Sequence, residues 1–135
     1  MSLPEFKAKL VLEATVSPSE DPGKVSRAMR NVLGDARCEE SVDPVSARLT
    51  TEDHRALVHI RDQLRDRHVR TAAKKQMLLN STGGSTSLML NRQAAAAGVI
   101  ALCGSPEESP LGPIHLTVHS EMIDAAIDWL TAYAG

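Results

Sequence analysis

From Thr51 to Leu79 the chain holds no Gly and no Pro and is dominated by helix formers, yet one straight helix there does not suit a chain of 135 residues. About 28 residues rising ~1.5 Å each would span roughly 42 Å, and a compact domain of this length is barely that wide. The apolar stripe also changes phase. Leu57, Ile60 and Leu64 define one face, whereas Val69, Ala73 and Gln76 fall more than a quarter turn away at about 100° per residue. The pattern predicts a break near Arg67 or His68 and two consecutive helices.

The rest of the chain falls into place around that pair. Ala8, Leu10, Leu12, Ala14 and Val16 alternate with Lys7, Lys9, Val11, Glu13 and Thr15, a strand with one covered face. Asp21 before Pro22 reads as an N-cap followed by a first-turn proline, and Val25, Ala28, Met29 and Val32 recur at helical spacing until Gly34. Ala36 to Val42 and Val45 to Thr50 flank Asp43 and Pro44 as a hairpin. Beyond a loop at Ser81 to Ser85, strands are expected at Thr86 to Leu90, Ala97 to Cys103 and Ile114 to His119, with a loop at Ser105 to Pro113. Ser120 is expected to cap a last helix facing inward through Ile123, Ile127 and Leu130, flanked by Ala126, Trp129 and Tyr133. The order β-α-β-β-α-α-β-β-β-α predicts a single α+β domain over residues 1–135, a largely antiparallel sheet with helices on one face.

Charge is segregated along this order. Of fifteen Lys and Arg residues only Arg92 follows Lys75, and the tightest group, Arg67, Arg70, Lys74 and Lys75, has no Asp or Glu among it. Such a local positive field attracts anions. A net charge of −2 nevertheless falls short of a dedicated nucleic-acid binder, and with 2 % aromatic residues the chain has few rings on which to stack bases. If nucleic acid is the partner, contacts are expected mainly on phosphates, sugars and shape. No segment is apolar enough for a membrane span, and the N-terminus lacks the apolar block of a secretory signal, so a cytoplasmic protein is expected. Cys38 and Cys103 are too few for a disulfide framework and are expected as reduced, packed thiols.

Catalytic and metal patterns fail on geometry. His115 and His119 lie about 13 Å apart along a strand at ~3.3 Å per residue, too far to share one ion. The Ser81 to Ser85 loop follows a helix and lacks the lysine of a phosphate loop. No nucleophile-elbow serine and no Cys–His signature is present. No enzyme, metal or cofactor is expected. The basic face carries more weight: Arg67, Arg70 and Lys74 form a strip suited to phosphate oxygens, with Arg61 and Arg65 leading into it, although Asp62 and Asp66 are spaced to pair with Arg65 and Arg70.

The loop Glu108, Ser109, Pro110, Leu111, Gly112, Pro113, Ile114 is the most distinctive string in the chain. With Pro18, Glu20, Asp21, Lys24, Val25, Ala28 and Asn31, with Asn91 to Ala95, and with Asp128, Trp129 and Leu130, it resembles the archaeal uncharacterised protein family 0201 over nearly the whole chain. The resemblance implies a fold like that of the fifth large-subunit ribosomal protein and an RNA-binding role associated with the archaeal exosome, without catalytic residues.

The expectation is a non-enzymatic protein, exosome- or ribosome-associated, that contacts the backbone of structured RNA through Arg61, Arg65, Arg67, Arg70, Lys74 and Arg92. Two rivals compete with it. One is an assembly module, most simply a homodimer, that pairs through the uncovered sheet face where Val11 and Thr15 stand beside Lys7 and Lys9. The other is a small-molecule-binding protein or enzyme with a deep pocket.

Overall fold

The computed structural model describes residues 4, 6–66 and 68–132. Its elements run β1 (Lys9–Thr15), α1 (Pro22–Leu33), β2 (Glu39–Val42), β3 (Ser46–Thr51), α2 (His54–Asp66), α3 (Arg70–Asn80), β4 (Ser85–Leu90), α4 (Arg92–Ala96), β5 (Ile114–His119) and α5 (Ile123–Leu130), with a 3-10 turn at Pro106–Glu108. The strands form one five-stranded antiparallel sheet in the order β2-β3-β1-β5-β4, which places β1 at its centre between β3 and β5. This is the expected α+β architecture.

Strict alternation decides which sheet face the helices cover. Leu10, Leu12 and Ala14 of β1 line up with Ala47 and Leu49 of β3, Leu116 and Val118 of β5, and Leu88 and Leu90 of β4, and all are buried. Onto this layer α1 brings Met29 and Leu33, α2 brings Ile60 and Leu64, and α3 brings Met77, each essentially without solvent contact. The other face carries Lys9, Glu13, Arg48, His115 and His119, all exposed.

Local chemistry sets the element ends. Asp21 accepts the Gly23 N–H at 2.9 Å and starts α1. Asp43 accepts the N–H groups of Val45 and Ser46 at 2.8 Å each and closes the hairpin. Asp53 accepts the Arg55 N–H at 3.0 Å and opens α2, and the Arg55 guanidinium beside it holds its carboxyl well below the usual carboxylate range.

The predicted break between α2 and α3 is present, and its chemistry is visible. His68 sits in the left-handed region at φ 56°, its N–H bonds to the Arg65 carbonyl at 3.1 Å, and the Val69 N–H reaches the Leu64 carbonyl at 3.1 Å. This pair of bonds is a Schellman ending, in which the left-handed residue usually is glycine. Histidine there carries a Cβ penalty, so His68→Gly is expected to raise stability by roughly 0.5–1 kcal/mol. Thermal melting checks it; an unchanged or lower midpoint counts against it.

Two local expectations change. The segment 97–103 is not a strand: it touches the sheet through a single bridge, Leu102 to Leu90, while the short helix α4 precedes it. Asn91 nucleates α4 by accepting the Ala94 N–H at 2.9 Å, which turns the chain away from β4. Ser120 does not occupy the N-cap of α5, a position held by Met122; its hydroxyl accepts the Met122 N–H and donates to the Lys7 carbonyl at 2.7 Å. Tyr133 lies outside the described residues.

The two sheet edges differ. On β4 the Met89 N–H is taken by Gln76 Oε1 at 2.8 Å, the Met89 carbonyl by the Cys103 N–H at 2.9 Å and the Ser87 carbonyl by Asn80 Nδ2 at 3.1 Å, so α3 and the following loop seal that edge. On β2, which pairs with β3 alone, every residue is exposed and the edge begins with Glu39 and Glu40.

Candidate nucleic-acid interface

Helix α3 presents the largest share of the expected cations. Ala73 and Met77 anchor it to the core, and Gln76 fixes it to β4. Spacing of four residues then stacks Arg70, Lys74 and Leu78 in one outward row and Thr71, Lys75 and Leu79 in the next, since residues four apart share a helix face. Arg70, Thr71, Lys74, Lys75 and Leu78 ring a shallow depression together with Thr131. Lys74 is about half exposed and stands 3.6 Å from Asp128, itself largely exposed, a pairing that solvent weakens. Arg70 donates to the Ala132 carbonyl at 3.2 Å.

This helix is poorly tuned for its own stability. Val69 at its N-cap offers no side-chain acceptor, no acid lies in the first turn, and Arg70 opens the helix where the backbone dipole disfavours a cation. Leu78 and Leu79 are 54 % and 76 % exposed. Departures from local optimality of this kind concentrate where a surface serves something other than folding.

The remaining expected residues lie elsewhere or are engaged. Arg65 is bound by Asp62 at 3.2 Å and Asp66 at 3.8 Å, so both carboxylates serve one arginine and neither reaches Arg70. Arg67 lies outside the described residues. Arg61 is 6 % exposed, with its guanidinium 4.6 Å from the centroid of the Trp129 ring. A delocalised cation on a long apolar stem gains by stacking on indole, which makes Arg61 a packing residue. Trp129 in turn meets Phe6 edge to face at 6.0 Å, so both rings are occupied in the fold.

Arg92 departs furthest from expectation. Its side chain is 5 % exposed and clamps three residues: Nη1 donates to Glu20 Oε1 at 2.7 Å and to the Thr15 carbonyl at 2.8 Å, and Nε donates to the Gly112 carbonyl at 3.0 Å. Its backbone N–H donates to Ser109 Oγ, which itself donates to the Gly112 carbonyl. Around this clamp Asn31 Nδ2 donates to the Ala95 carbonyl at 2.9 Å and Gln93 Nε2 to the Pro110 carbonyl at 3.3 Å. Arg92 is thus buried in the fold, with Nη1 and Nε held by carbonyls and a carboxylate.

The open sheet face is no stronger a candidate. Lys9 and Arg48 are interleaved with Glu13 and Glu39, with Arg48 directly opposite Glu13. Val11, expected to offer apolar contact to another subunit, is 2 % exposed between its cross-strand neighbours Thr50 and Thr117. Among the described residues no group of three or more His, Cys, Asp and Glu is placed to hold a metal ion, and no helix is long and apolar enough to cross a membrane.

The segregation of charge made Arg70, Lys74 and Lys75 legible as a cluster, whereas Leu78 and Leu79 carry no signal of exposure in the sequence, where leucine reads as core. What the chain resembles agrees with a nucleic-acid surface. A family model described as RNA binding matches residues 9–120. A UPF0201 protein of Sulfurisphaera tokodaii is 38 % identical over 125 residues, covering 91 % of this chain and 86 % of that one. A UPF0201 protein of Sulfolobus acidocaldarius is 33 % identical over 125 residues with the same coverage, 91 % and 86 %. In structure, a UPF0201 protein from Methanococcus jannaschii superposes with a TM-score of 0.76 at 21 % identity, covering 94 % of this chain and 95 % of that one, which establishes a common fold.

Proposed function

The chain belongs to the UPF0201 family of archaeal proteins, which a model described as RNA binding also covers, and from that premise we propose that it binds structured RNA by its sugar-phosphate backbone through α3. The observation that carries the reading is the match of residues 9–120 to the RNA-binding model. The cations of α3 support it: Lys74 and Lys75, with Arg70 beside them, line one depression. Lysine and arginine on a helix face neutralise phosphates without reading base identity, as fits a chain in which Phe6 and Trp129 pack on each other. The role is non-enzymatic and cytoplasmic, and the exosome or the ribosome is the assembly in which such a backbone contact would be used.

Fluorescence anisotropy with a structured RNA tests the reading. Affinity is expected to fall as salt rises, by about 0.7–0.9 log units per log unit of salt for each phosphate neutralised. Lys74→Gln with Lys75→Gln is expected to weaken binding to all RNAs alike and to shallow that slope by roughly one phosphate per lysine. Absence of binding at low salt, or a slope untouched by the double substitution, removes α3 from the role.

A further inference from the structure

Resting on that reading, we infer that α3 takes RNA whose bases are unpaired, with Leu78 and Leu79 covering a base or ribose beside phosphates held by Lys74 and Lys75. Each leucine continues a cationic row of the helix. Leu78 stands four residues beyond Lys74 and Leu79 four beyond Lys75, about 6 Å along the axis. The leucines therefore meet whatever adjoins a bound phosphate. Core packing does not require them there, because Ala73 and Met77 already fill the inward face of α3. The other large apolar side chains exposed among the described residues sit in the β2–β3 hairpin, the 109–112 loop and the β5–α5 connection, and none of those places shares a helix face with two lysines.

The choice between duplex and unpaired RNA follows from what each presents. An A-form duplex turns stacked bases inward and offers phosphates and hydroxyls, for which a leucine has neither donor nor acceptor. An unpaired nucleotide exposes an apolar base face next to its phosphate. Proteins usually meet that face with aromatic rings, but aliphatic side chains, leucine included, also contact and separate bases. With Phe6 and Trp129 packed on each other, Leu78 and Leu79 are the apolar side chains available beside the cations.

The experiment compares the full chain binding to an RNA hairpin with a wide unpaired loop and to a blunt duplex of equal length, at one salt concentration. The wild type is expected to prefer the loop by about 5- to 100-fold, the range that covering one base gives. Leu78→Ser with Leu79→Ser is expected to bring that ratio close to one while leaving duplex affinity and salt slope unchanged. Lys74→Gln with Lys75→Gln lowers both affinities together and preserves the ratio. Leu78→Gln with Leu79→Gln, closer in volume and helix propensity, serves should the serine pair disturb α3, as circular dichroism would report. Equal wild-type affinity for the two RNAs, or a ratio indifferent to the leucines, overturns the inference while leaving backbone binding intact. Binding to neither RNA removes the parent reading and this one with it.

Discussion

Replacing Arg92 by Ala is expected to lower folding stability by about 3–5 kcal/mol, the usual consequence of removing one partner of a buried ion pair. The size follows from what is left behind. Glu20 keeps its place with a side chain only 12 % exposed, and it loses both guanidinium contacts at 2.7 and 2.9 Å. The carbonyls of Thr15 and Gly112 lose their donor in the same step. Urea unfolding measures the loss, and a cost below about 1 kcal/mol, the scale of an exposed pair, would show that the clamp is ornamental. Arg92→Met combined with Glu20→Gln removes both charges at similar volume and is expected to recover much of the loss.

The same pair gives stability a pH dependence of definite sign. Burial alone would raise the Glu20 carboxyl above its ordinary 4.5, but the Ser17 N–H and the Arg92 side chain outweigh it, and the group titrates lower. A carboxyl depressed on folding contributes stability that is present above its unfolded value and is lost as pH falls through the folded one. The difference between wild type and Arg92→Ala is therefore expected to be full near neutrality and to narrow below about pH 4.5, where the wild type begins to lose the contribution. In the variant Glu20 lacks the lowering contribution of Arg92 and protonates at higher pH than in the wild type, which narrows the gap further. A difference that stays constant to acid pH would mean that Glu20 is not the group that matters.

Gly34→Ala is expected to cost roughly 2–5 kcal/mol, from backbone strain and from overpacking together. Gly34 ends α1 at φ 65° and ψ −133°, a region essentially reserved for glycine. A Cβ there would lie 2.8 Å from His59 Cγ and 2.9 Å from Nδ1, against a ring whose Nε2 bonds the Asn31 carbonyl at 3.1 Å. The ring can yield only by giving up the tie between α2 and the end of α1. Gly98 supplies the control: it also has a positive φ, 82°, but nothing lies within 4 Å of its would-be Cβ. Gly98→Ala is expected to show the backbone strain alone, about 1–2 kcal/mol. Equal losses at the two positions would dismiss the His59 contact.

Elements whose signal is local were legible in the sequence. The alternation of β1, the Asp21–Pro22 start of α1, the Asp43 turn and the phase break before α3 are decided within a few residues, and the structure has them all. The segment 97–103 differs from expectation because its apolar and β-branched residues suit a short buried strand as well as the exit of a helix. The deciding signal was Asn91 as an N-cap. For the interface, the sequence gives the position of charge but not its partner. Arg92 and Glu20 are 72 positions apart, and Arg61 finds its ring on the last helix, so neither burial was visible to local reasoning. The loop and helix residues that carry the family resemblance, Glu20, Asn31, Asn91 to Ala95 and Ser109 to Pro113, gather around Arg92 as a clasp. Much of what made the chain recognisable is thus its architecture, although Asp128, another of those residues, stands 3.6 Å from Lys74 of the surface proposed to meet RNA.

The central place of β1 bears on how the protein emerges during synthesis. Its first partner, β3, follows within a few dozen residues, but its second, β5, arrives only near the end of the chain. Until then a nascent chain displays one flank of its middle strand bare, with Leu10 and Leu12 uncovered on that side, a state that invites association with other chains. No fragment that stops short of Ile114 can complete the sheet, so β5 must have left the ribosome before the core can close.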